Sequence, residues 1–323
     1  PMFDLPEAWV WDFWIVDDGD RFHMFFLYAS RALKDPDARH FRASIGHAVS
    51  TDLTNWTRVT DALVRSDAPA IDDLATWTGS VTKGPDGRWY MFYTAVTVVP
   101  DGRNVQTITY ATSDDLYEWT KAAVPVLKGD PRWYEPLTDD EHWADEAFRD
   151  PWVFPDPDGD GWQMLVTARA NHGPVDDRGI VAHATSPDLV NWTLQPPLTE
   201  PGQGFGQLEV CQTVELDGGH YLLFNCLDTE LSAARRASGA SGGVWLARAD
   251  SALGPYDIAG AQMVTDRSQY VGRILQDRAG HWVFLAFRYD APDGHFLGGI
   301  TDPRPVAIED GQLVFTDELD AAN

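Results

Sequence analysis

The chain has 323 residues, of which 44% are hydrophobic and 12% aromatic, enough apolar side chains for a sizeable core in one large domain or two small ones. Its formal net charge of −26, from 50 acidic and 24 basic residues, would repel a phosphate backbone and argues against binding to nucleic acid or to an anionic membrane surface. The two cysteines, Cys211 and Cys226, have neither the density of a disulfide scaffold nor the spacing of a zinc site, and no apolar run is long enough to span a bilayer.

The start of the chain bears on its location. Asp4, Glu7 and Asp12 stand where a secretory leader would carry a basic and then an apolar stretch. Together with the low cysteine content, this favours a cytoplasmic protein. A secreted form whose leader has been removed before residue 1 is also compatible with the sequence.

A turn motif recurs along the chain. The pattern S-x-D-L-x-x-W-T occupies residues 50–57, 113–120 and 186–193, and an eroded fourth copy lies at 250–256. In such a turn Ser and Asp accept local backbone hydrogen bonds, while Leu and Trp anchor the loop in the core. The spacing indicates a structural repeat of roughly 60 to 70 residues.

A second repeated unit is a short strand, a turn rich in Gly and Asp, and an aromatic-rich strand. It occurs five times, at residues 12–29, 80–95, 150–169, 209–228 and 271–288. The second strands are apolar on both faces, as expected of strands packed between neighbouring sheets.

These repeats predict an all-β fold. No long segment has a sustained helical period, and five hairpin units of similar length are typical of a five-bladed β-propeller with a central funnel-shaped active site. A β-sandwich would show strand signals without the long-range repeat. We expect a single propeller domain over residues 1–323, with residues 231–243 as an insertion loop in the fourth unit.

Three carboxylates fall at the start of predicted inner strands. Asp12, Asp150 and Glu209 align at one position of the first, third and fourth units, and inner strands line the central channel of a propeller. Acids in apolar strands are costly unless they are paired or functional. Glycoside cleavage needs one acid to protonate the leaving oxygen and a second carboxylate as nucleophile or base, so the three predict a glycosidase. The alternative is a structural Arg–carboxylate network that closes the channel.

The motifs around these acids resemble those of the β-fructofuranosidase clan, glycoside hydrolase families 32 and 68. The resemblance rests on Trp11-Asp12-Phe13-Trp14, Arg149-Asp150-Pro151 and Glu209-Val210-Cys211, supported by residues 46–53 and 79–80. It implies a retaining mechanism with Asp12 as nucleophile, Asp150 as transition-state stabiliser and Glu209 as acid/base. It implies no cofactor and a small carbohydrate or oligosaccharide as substrate.

The match departs from both families. The nucleophile motif is closer to the Val-Trp-Asp-Ser-Trp of family 68 than to the Trp-x-Asn-Asp-Pro of family 32, whereas Glu209 and Cys211 are nearer to the Glu-Cys of family 32, with Val210 inserted between them. The chain also leaves no room for the C-terminal β-sandwich usual in family 32. The sequence is therefore similar to a divergent, single-domain relative.

Six further residues are predicted to contact substrate: Trp14, Trp77, Ser80, Trp143, Arg149 and His172. Trp14 is two residues beyond Asp12 and so shares its face as a sugar platform. Trp77 and Ser80 lie at the mouth of the second unit, with core packing as the alternative for Trp77. Arg149 is expected to orient Asp150 rather than clamp a sugar, because adjacent side chains on a strand point to opposite faces.

The last two candidates lie in loops. His172 follows Arg169 and is a possible rim contact, and Trp143 lies in the acidic loop 139–146, beside the leaving group or in a merely solvated segment. None of these groups has the spacing of a metal site.

Other functions compatible with the residues are an inverting enzyme on arabinofuranosides or xylosides, similar to glycoside hydrolase family 43, and a non-catalytic sugar-binding propeller. The separation of the carboxyl groups distinguishes retention from inversion. The presence of all three acids disfavours a non-catalytic sugar-binding protein. Hydrolysis and transfructosylation share their first step and are not separable from sequence.

Overall fold

The computed structural model describes residues 2–137, 143 and 145–317, and its strands form five four-stranded antiparallel sheets. Blade 1 contains β1 (Ala8–Asp17), β2 (Phe22–Ser30), β3 (Ser44–Ser50) and β4 (Thr57–Leu63). Blade 2 contains β5 (Ala75–Lys83), β6 (Trp89–Val98), β7 (Asn104–Ser113) and β8 (Thr120–Lys121). Blade 3 contains β9 (Phe148–Pro155), β10 (Trp162–Arg169), β11 (Gly179–Ser186) and β12 (Thr193–Gln195). Blade 4 contains β13 (Glu209–Leu216), β14 (Gly219–Cys226), β15 (Gly243–Ala249) and β16 (Gln262–Met263). Blade 5 contains β17 (Gln269–Gln276), β18 (Trp282–Arg288), β19 (Arg304–Glu309) and β20 (Gln312–Phe315).

The first strand of each sheet is its inner strand. β1 contacts β5, β5 contacts β9, β9 contacts β13, β13 contacts β17, and β17 returns to β1, so the inner strands close a ring. The prediction of a five-bladed propeller is confirmed, and the five predicted hairpins are the two inner strands of each blade.

Short helical segments lie in the connections between strands. The α-helix α1 (Ala233–Ala237) lies in the predicted insertion of the fourth blade. Short 3₁₀ segments occur at Arg31–Leu33, Pro36–Arg42, Val175–Asp177 and Asp228–Glu230. None of the described helices is long and apolar enough to cross a membrane.

The hydrophobic core lies between the blades, in four clusters. The largest joins blades 1, 2 and 5, and the others lie between blades 2 and 3, 3 and 4, and 4 and 5. The strands that flank the inner ones are buried on both faces: in β2, Phe22 to Leu27 are all buried. This two-sided burial explains why those strands lack the alternating pattern of a half-exposed sheet.

The repeated turns join the third strand of a blade to its outer strand. In the three full copies, the Asp side chain accepts bonds from the backbone N–H groups two and three residues ahead, as Asp115 does from Tyr117 and Glu118 at 2.8 and 2.9 Å. Leu116 is buried with a φ of 71°, and its carbonyl accepts the indole N–H of Trp119 at 3.0 Å. Trp119 then packs edge-on against Phe25 of blade 1, so the turn ties neighbouring blades together.

Blades 1 and 5 meet where no chain connection links them directly. Phe3 forms a β-bridge with Ile300, and the Gly299 N–H donates to the Val10 carbonyl at 2.8 Å. Deeper in the ring, the Arg273 Nε–H donates to the Phe13 carbonyl at 2.8 Å. These non-covalent contacts form the seam between the first and last blades.

Candidate active site

A cavity of about 920 Å³ opens at the centre of the ring. The inner strand of every blade contributes to its wall, and one such residue from each blade, in order, is Asp12, Thr78, Asp150, Glu209 and Tyr270. The cavity is therefore built from residues far apart in sequence.

A β-bulge or register shift interrupts every inner strand at this cavity. In β1 the pairing shifts between Val10 and Phe13, and in β9 and β13 it shifts beside Asp150 and after Glu209. Bulges bend a strand and redirect side chains. Asp150 itself has a φ of 61°, a left-handed conformation that is uncommon outside Gly, Asn and Asp.

The three carboxylates do not share one register position: relative to Asp150, the predicted alignment was wrong by one residue for Glu209 and by one residue in the other direction for Asp12. Glu209 is the last paired residue before its bulge, Asp150 is the first residue inside its bulge, and Asp12 is the second. They converge on the cavity because the bulges, which the period of a strand does not predict, change the direction of their side chains.

Asp12 is partly buried in the cavity wall. Its carboxylate accepts a short hydrogen bond from the Thr78 hydroxyl of blade 2. Burial raises the pKa of Asp12 to about 6, helped by the Glu209 carboxylate and opposed by Thr78, Arg273 and Arg39.

Asp150 is 5% exposed and more tightly enclosed. Its Oδ2 accepts the Thr167 hydroxyl at 3.0 Å and the Val210 N–H at 3.3 Å. Burial raises the pKa of Asp150 to about 7; the Arg149 guanidinium, 3.7 Å away, lowers it, while Asp12 and Glu209 raise it. The carboxyl is therefore held firmly, in surroundings that resist its ionisation.

Glu209 lies between a cation and a phenol. The Arg149 guanidinium donates to Oε2 at 3.2 Å, and the Tyr270 hydroxyl donates to Oε1 at 2.8 Å. The 3₁₀ segment Asp228–Glu230 brings a second acid, Glu230, against it: burial and the Glu209 carboxylate raise the pKa of Glu230 well above its usual range. Both ends of the Glu209 carboxylate are thus fixed by the protein.

Arg149 joins the carboxylates electrostatically. It bonds the side chains of Gln207 and Gln106, the latter at 3.3 Å, and the surrounding acids, Glu209 first among them, outweigh burial and raise its pKa. The expectation that Arg149 faces away from Asp150 was wrong, because both residues line the same cavity across the bulge. Arg149 is placed both to orient Asp150 and to contact a ligand.

Two of the predicted aromatic contacts lie in the cavity wall. The Trp77 Nε1–H donates to the His40 carbonyl at 2.7 Å, which fixes the indole. The Trp143 ring lies 3.7 Å from the guanidinium carbon of Arg169. Most of the acidic loop around Trp143, residues 138–142 and 144, is outside the described residues. Contact of these two rings with a sugar remains a prediction.

Three other predicted contacts are not in the cavity wall. Trp14 is 1% exposed and stacks on Phe25 inside the blade, because regular pairing resumes at Phe13 and turns the indole into the core. Ser80 is buried, and its hydroxyl links blades 2 and 3 by donating to the Pro151 carbonyl at 2.7 Å. His172 is 63% exposed on an outer loop. Trp11, rather than Trp14, presents its ring to the cavity.

Several wall residues escaped the sequence predictions: Trp11, Arg39, His40, Thr78, Asp145, Gln207, Glu230, Tyr270 and Tyr289. Thr78 and Tyr270 lie just before the predicted second and fifth units, which begin at Ser80 and Val271, so the alignment of inner strands did not mark them. Arg39, His40 and Glu230 lie in irregular connections, where no periodicity marks a residue as facing the cavity.

No group of three or more His, Cys, Asp or Glu side chains in the described part of the chain is arranged to hold a metal ion. The cavity instead combines buried acids, one shared guanidinium and aromatic walls. Such a set of groups is suited to binding sugar hydroxyls and to proton transfer at a glycosidic oxygen.

Several solved structures are similar to this chain in fold. An inulosucrase from Halalkalicoccus jeotgali bound to kestose matches 98% of this chain and 90% of its own at a TM-score of 0.78 and 22% identity. Bacillus subtilis levansucrase matches 96% of this chain and 86% of its own at a TM-score of 0.73 and 16% identity. A β-fructofuranosidase of Bombyx mori in complex with sucrose matches 97% of this chain and 64% of its own at a TM-score of 0.71 and 18% identity. The architecture is that of β-fructofuranosidase-type propellers.

The family is given by the sequence. Residues 14–287 match the glycosyl hydrolases family 32 N-terminal domain, and the chain belongs to this family. The matched range includes Asp150 and Glu209 and begins two residues after Asp12.

Curated relatives are similar over part of their length. A fructan 1-exohydrolase of Hordeum vulgare is 34% identical over 49% of this chain and 24% of its own length. An insoluble β-fructofuranosidase isoenzyme of Arabidopsis thaliana is 31% identical over 58% of this chain and 32% of its own length. The chain therefore aligns with about a quarter to a third of the length of these relatives.

Proposed function

We propose that the protein is a retaining glycosidase that cleaves β-fructofuranosidic bonds in sucrose, fructo-oligosaccharides or fructan. The observation that carries this proposal is the convergence of Asp12, Asp150 and Glu209 from three blades on one central cavity. Membership of family 32 and relatives named as fructan exohydrolases and β-fructofuranosidases support the fructosyl specificity.

In the first step Glu209 donates a proton to the glycosidic oxygen while an Asp12 oxygen attacks the anomeric carbon of the fructosyl unit. The bond from that carbon to the leaving oxygen breaks, the leaving sugar departs as an alcohol, and the fructosyl unit becomes an ester of Asp12. Asp150 gains no proton; its carboxylate stabilises the positive charge that develops on the ring.

In the second step Glu209 acts as base. It removes a proton from water, the water oxygen attacks the anomeric carbon, and fructose and the Asp12 carboxylate are released. A sugar hydroxyl in place of water would give transfructosylation by the same route. The two outcomes differ only in which hydroxyl reaches the ester.

The surroundings of the acids suit these roles. Arg149 and Tyr270 hold Glu209 in place, and Thr78 orients Asp12. Asp12 must be ionised to attack and Asp150 to stabilise the developing charge. Since burial raises their pKa values to about 6 and about 7, kcat/KM should fall as the pH drops through 7 and then 6.

The family match disfavours an inverting arabinofuranosidase or xylosidase. The presence of all three acids disfavours a purely sugar-binding propeller. The two mechanisms predict different first products. Proton NMR of fructose released from sucrose or 1-kestose should show the β-furanose anomer before mutarotation if the configuration is retained, and the α-anomer if it is inverted.

The catalytic assignment is tested by Asp12→Asn, which keeps the size of the side chain and an acceptor for Thr78. We expect turnover of sucrose and 1-kestose to fall by at least about 10⁴-fold, because the amide cannot form the ester. Asp20→Asn, at an exposed position in the β1–β2 turn, is the matched control and should keep full activity. Retention of activity by a folded Asp12→Asn protein would rule out the proposed nucleophile.

A further inference from the structure

The connection between β2 and β3, residues 31–43, carries a buried cation into the cavity. This connection folds from blade 1 toward the ring centre and supplies Arg39, His40 and Phe41 in succession to the cavity wall. Arg39 is only 2% exposed, and its Nε atom has no hydrogen-bond partner among the described residues. A buried guanidinium with an unused donor is costly, so its retention at this site calls for a physical reason.

Arg39 is held between aromatic rings from opposite sides of the seam. Its guanidinium carbon lies 3.7 Å from the centre of the Phe296 ring and 5.4 Å from that of Trp11, within the range of cation–π attraction. Its Nη1–H donates to the Pro36 carbonyl at 2.7 Å, and Tyr289 of blade 5 is a further partner. Trp11 immediately precedes Asp12 in the bulge of β1.

The charged groups around Asp12 come from several blades. Glu209 and Asp150 raise the energy of an ionised Asp12, whereas Arg273 lowers it. Arg273 does not line the cavity; its Nε–H is bonded to the Phe13 carbonyl in the seam. His40 is neutral at working pH, because burial lowers its pKa to about 3, with Arg39 and Arg149 adding to the effect. Arg39 therefore supplies positive charge to Asp12 from the cavity wall.

We propose that Arg39 is a positioning residue for the reaction: it holds Trp11 and the adjoining Asp12 in the reactive arrangement and provides positive charge beside the Asp12 carboxylate. The proposal rests on the proposed function, in which Asp12 is the nucleophile. It assigns a role in catalysis to the β2–β3 connection.

Two substitutions separate the charge of Arg39 from its packing. Arg39→Met keeps an apolar stem between Trp11 and Phe296 but removes the charge, whereas Arg39→Lys keeps the charge and loses the planar group. For Arg39→Met we expect a fall in kcat of about 10- to 100-fold with sucrose, a smaller change in KM, and a shift of the acidic limb of kcat/KM to higher pH. For Arg39→Lys we expect a smaller loss of kcat and an acidic limb close to that of the wild type.

Arg31 offers a matched control in the same connection. Its guanidinium also lies over an indole, that of Trp9 at 5.6 Å, and donates to the Leu297 carbonyl of blade 5 at 3.2 Å, but it does not line the cavity. Arg31→Met should leave kcat and the pH profile within about twofold of the wild type. Thermal unfolding of all variants reports on the integrity of the fold.

Several outcomes would overturn the proposal. An unchanged kcat and acidic limb in Arg39→Met would exclude the positioning role, and equal losses in Arg31→Met and Arg39→Met would assign the effect to the connection as a whole. If Arg39→Met does not fold, an acidic limb in Arg39→Lys shifted to higher pH by a full unit or more would also contradict it. Asp12→Asn distinguishes the two proposals, because an active Asp12→Asn protein contradicts the proposed function itself, whereas an inactive one leaves the Arg39 test valid.

Discussion

Asp150 combines two features that oppose folding. It is 5% exposed beside two other acids, and its backbone has a φ of 61°. Burial raises its pKa from 3.8 to about 7, so at pH 8 the folded protein holds a carboxylate that its surroundings disfavour. The sign follows from the raised pKa: the stability contribution of Asp150 is fully present below about pH 3.8 and is lost as the pH rises through 7. The proposed catalytic role of Asp150 and the stability of the fold therefore oppose each other.

Asp150→Asn should release that cost. Asn keeps an acceptor for Thr167 and tolerates a left-handed backbone, so at pH 8 we expect the free energy of unfolding to rise by about 4 kcal/mol, with activity lost. At pH 4 the gain should largely vanish, because the wild-type carboxyl is then protonated in the folded protein. Chemical denaturation at both pH values, with Asp20→Asn as control, measures the difference. An equal gain at both pH values would refute the electrostatic explanation.

For individual residues, the sequence predicted which side chains are chemically important better than it predicted where those side chains point. Asp12, Asp150 and Glu209 were identified because acids in apolar strands are unusual, and all three line the cavity. Trp14 was misplaced because its predicted direction assumed a strand without a bulge. Arg39 and Glu230 had no signal, since they reach the cavity through irregular connections whose path depends on the packing of other blades.

Among the elements, the repeated turn was predicted most completely. The local bonds of Ser and Asp, the buried Leu and the anchoring Trp all occur as the motif indicates. The motif is predictable because its bonds lie within three residues, whereas the bulges of the inner strands depend on contacts between blades. What the sequence did not indicate is that Trp119 and Trp192 each pack on the preceding blade.

Removal of one turn carboxylate tests the contribution of this element. Asp115 accepts two backbone N–H bonds that lower its pKa, so Asp115→Ala should reduce the free energy of unfolding by about 1 kcal/mol at pH 7 and leave kcat unchanged. Because the pKa is lowered in the folded state, the loss should shrink as the pH falls toward 3.

Asp114→Ala is the matched control, since it removes the same charge from the exposed neighbour. If urea denaturation gives equal values for both variants, the hydrogen bonds of Asp115 do not stabilise the turn. A loss confined to Asp115→Ala would assign the stabilisation to them.

For the whole molecule, the dominant electrostatic quantity is the net charge of −26. Mutual repulsion of surface acids opposes the compact state, and salt screens it over about 10 Å at 0.1 M. We expect the Tm at pH 7.5 to rise by roughly 3 to 10 °C between 0.05 and 1 M NaCl, which corresponds to about 1 to 3 kcal/mol.

The same series of NaCl concentrations at pH 4 supplies the control. Many surface carboxylates are then near their ordinary pKa and the repulsion is smaller, so the gain from salt should shrink. Differential scanning fluorimetry across both series is sufficient. A Tm at pH 7.5 that stays constant or falls with NaCl would show that net repulsion does not limit stability.

The five-bladed architecture itself was predictable, because its repeats extend along the sequence and each predicts one hairpin. The seam between blades 1 and 5 was not, since nothing near Val10 or Phe13 indicates pairing with residues at the other end of the chain.

The position of Asp12 at this seam has a consequence for synthesis. Asp12 is synthesised with the first blade, whereas Arg273 and Tyr270, which support Asp12 and Glu209, are synthesised with the fifth. A nascent chain carrying four finished blades therefore holds all three acids but lacks the wall that fixes them. The three acids acquire their full surroundings only when the fifth blade docks on the first.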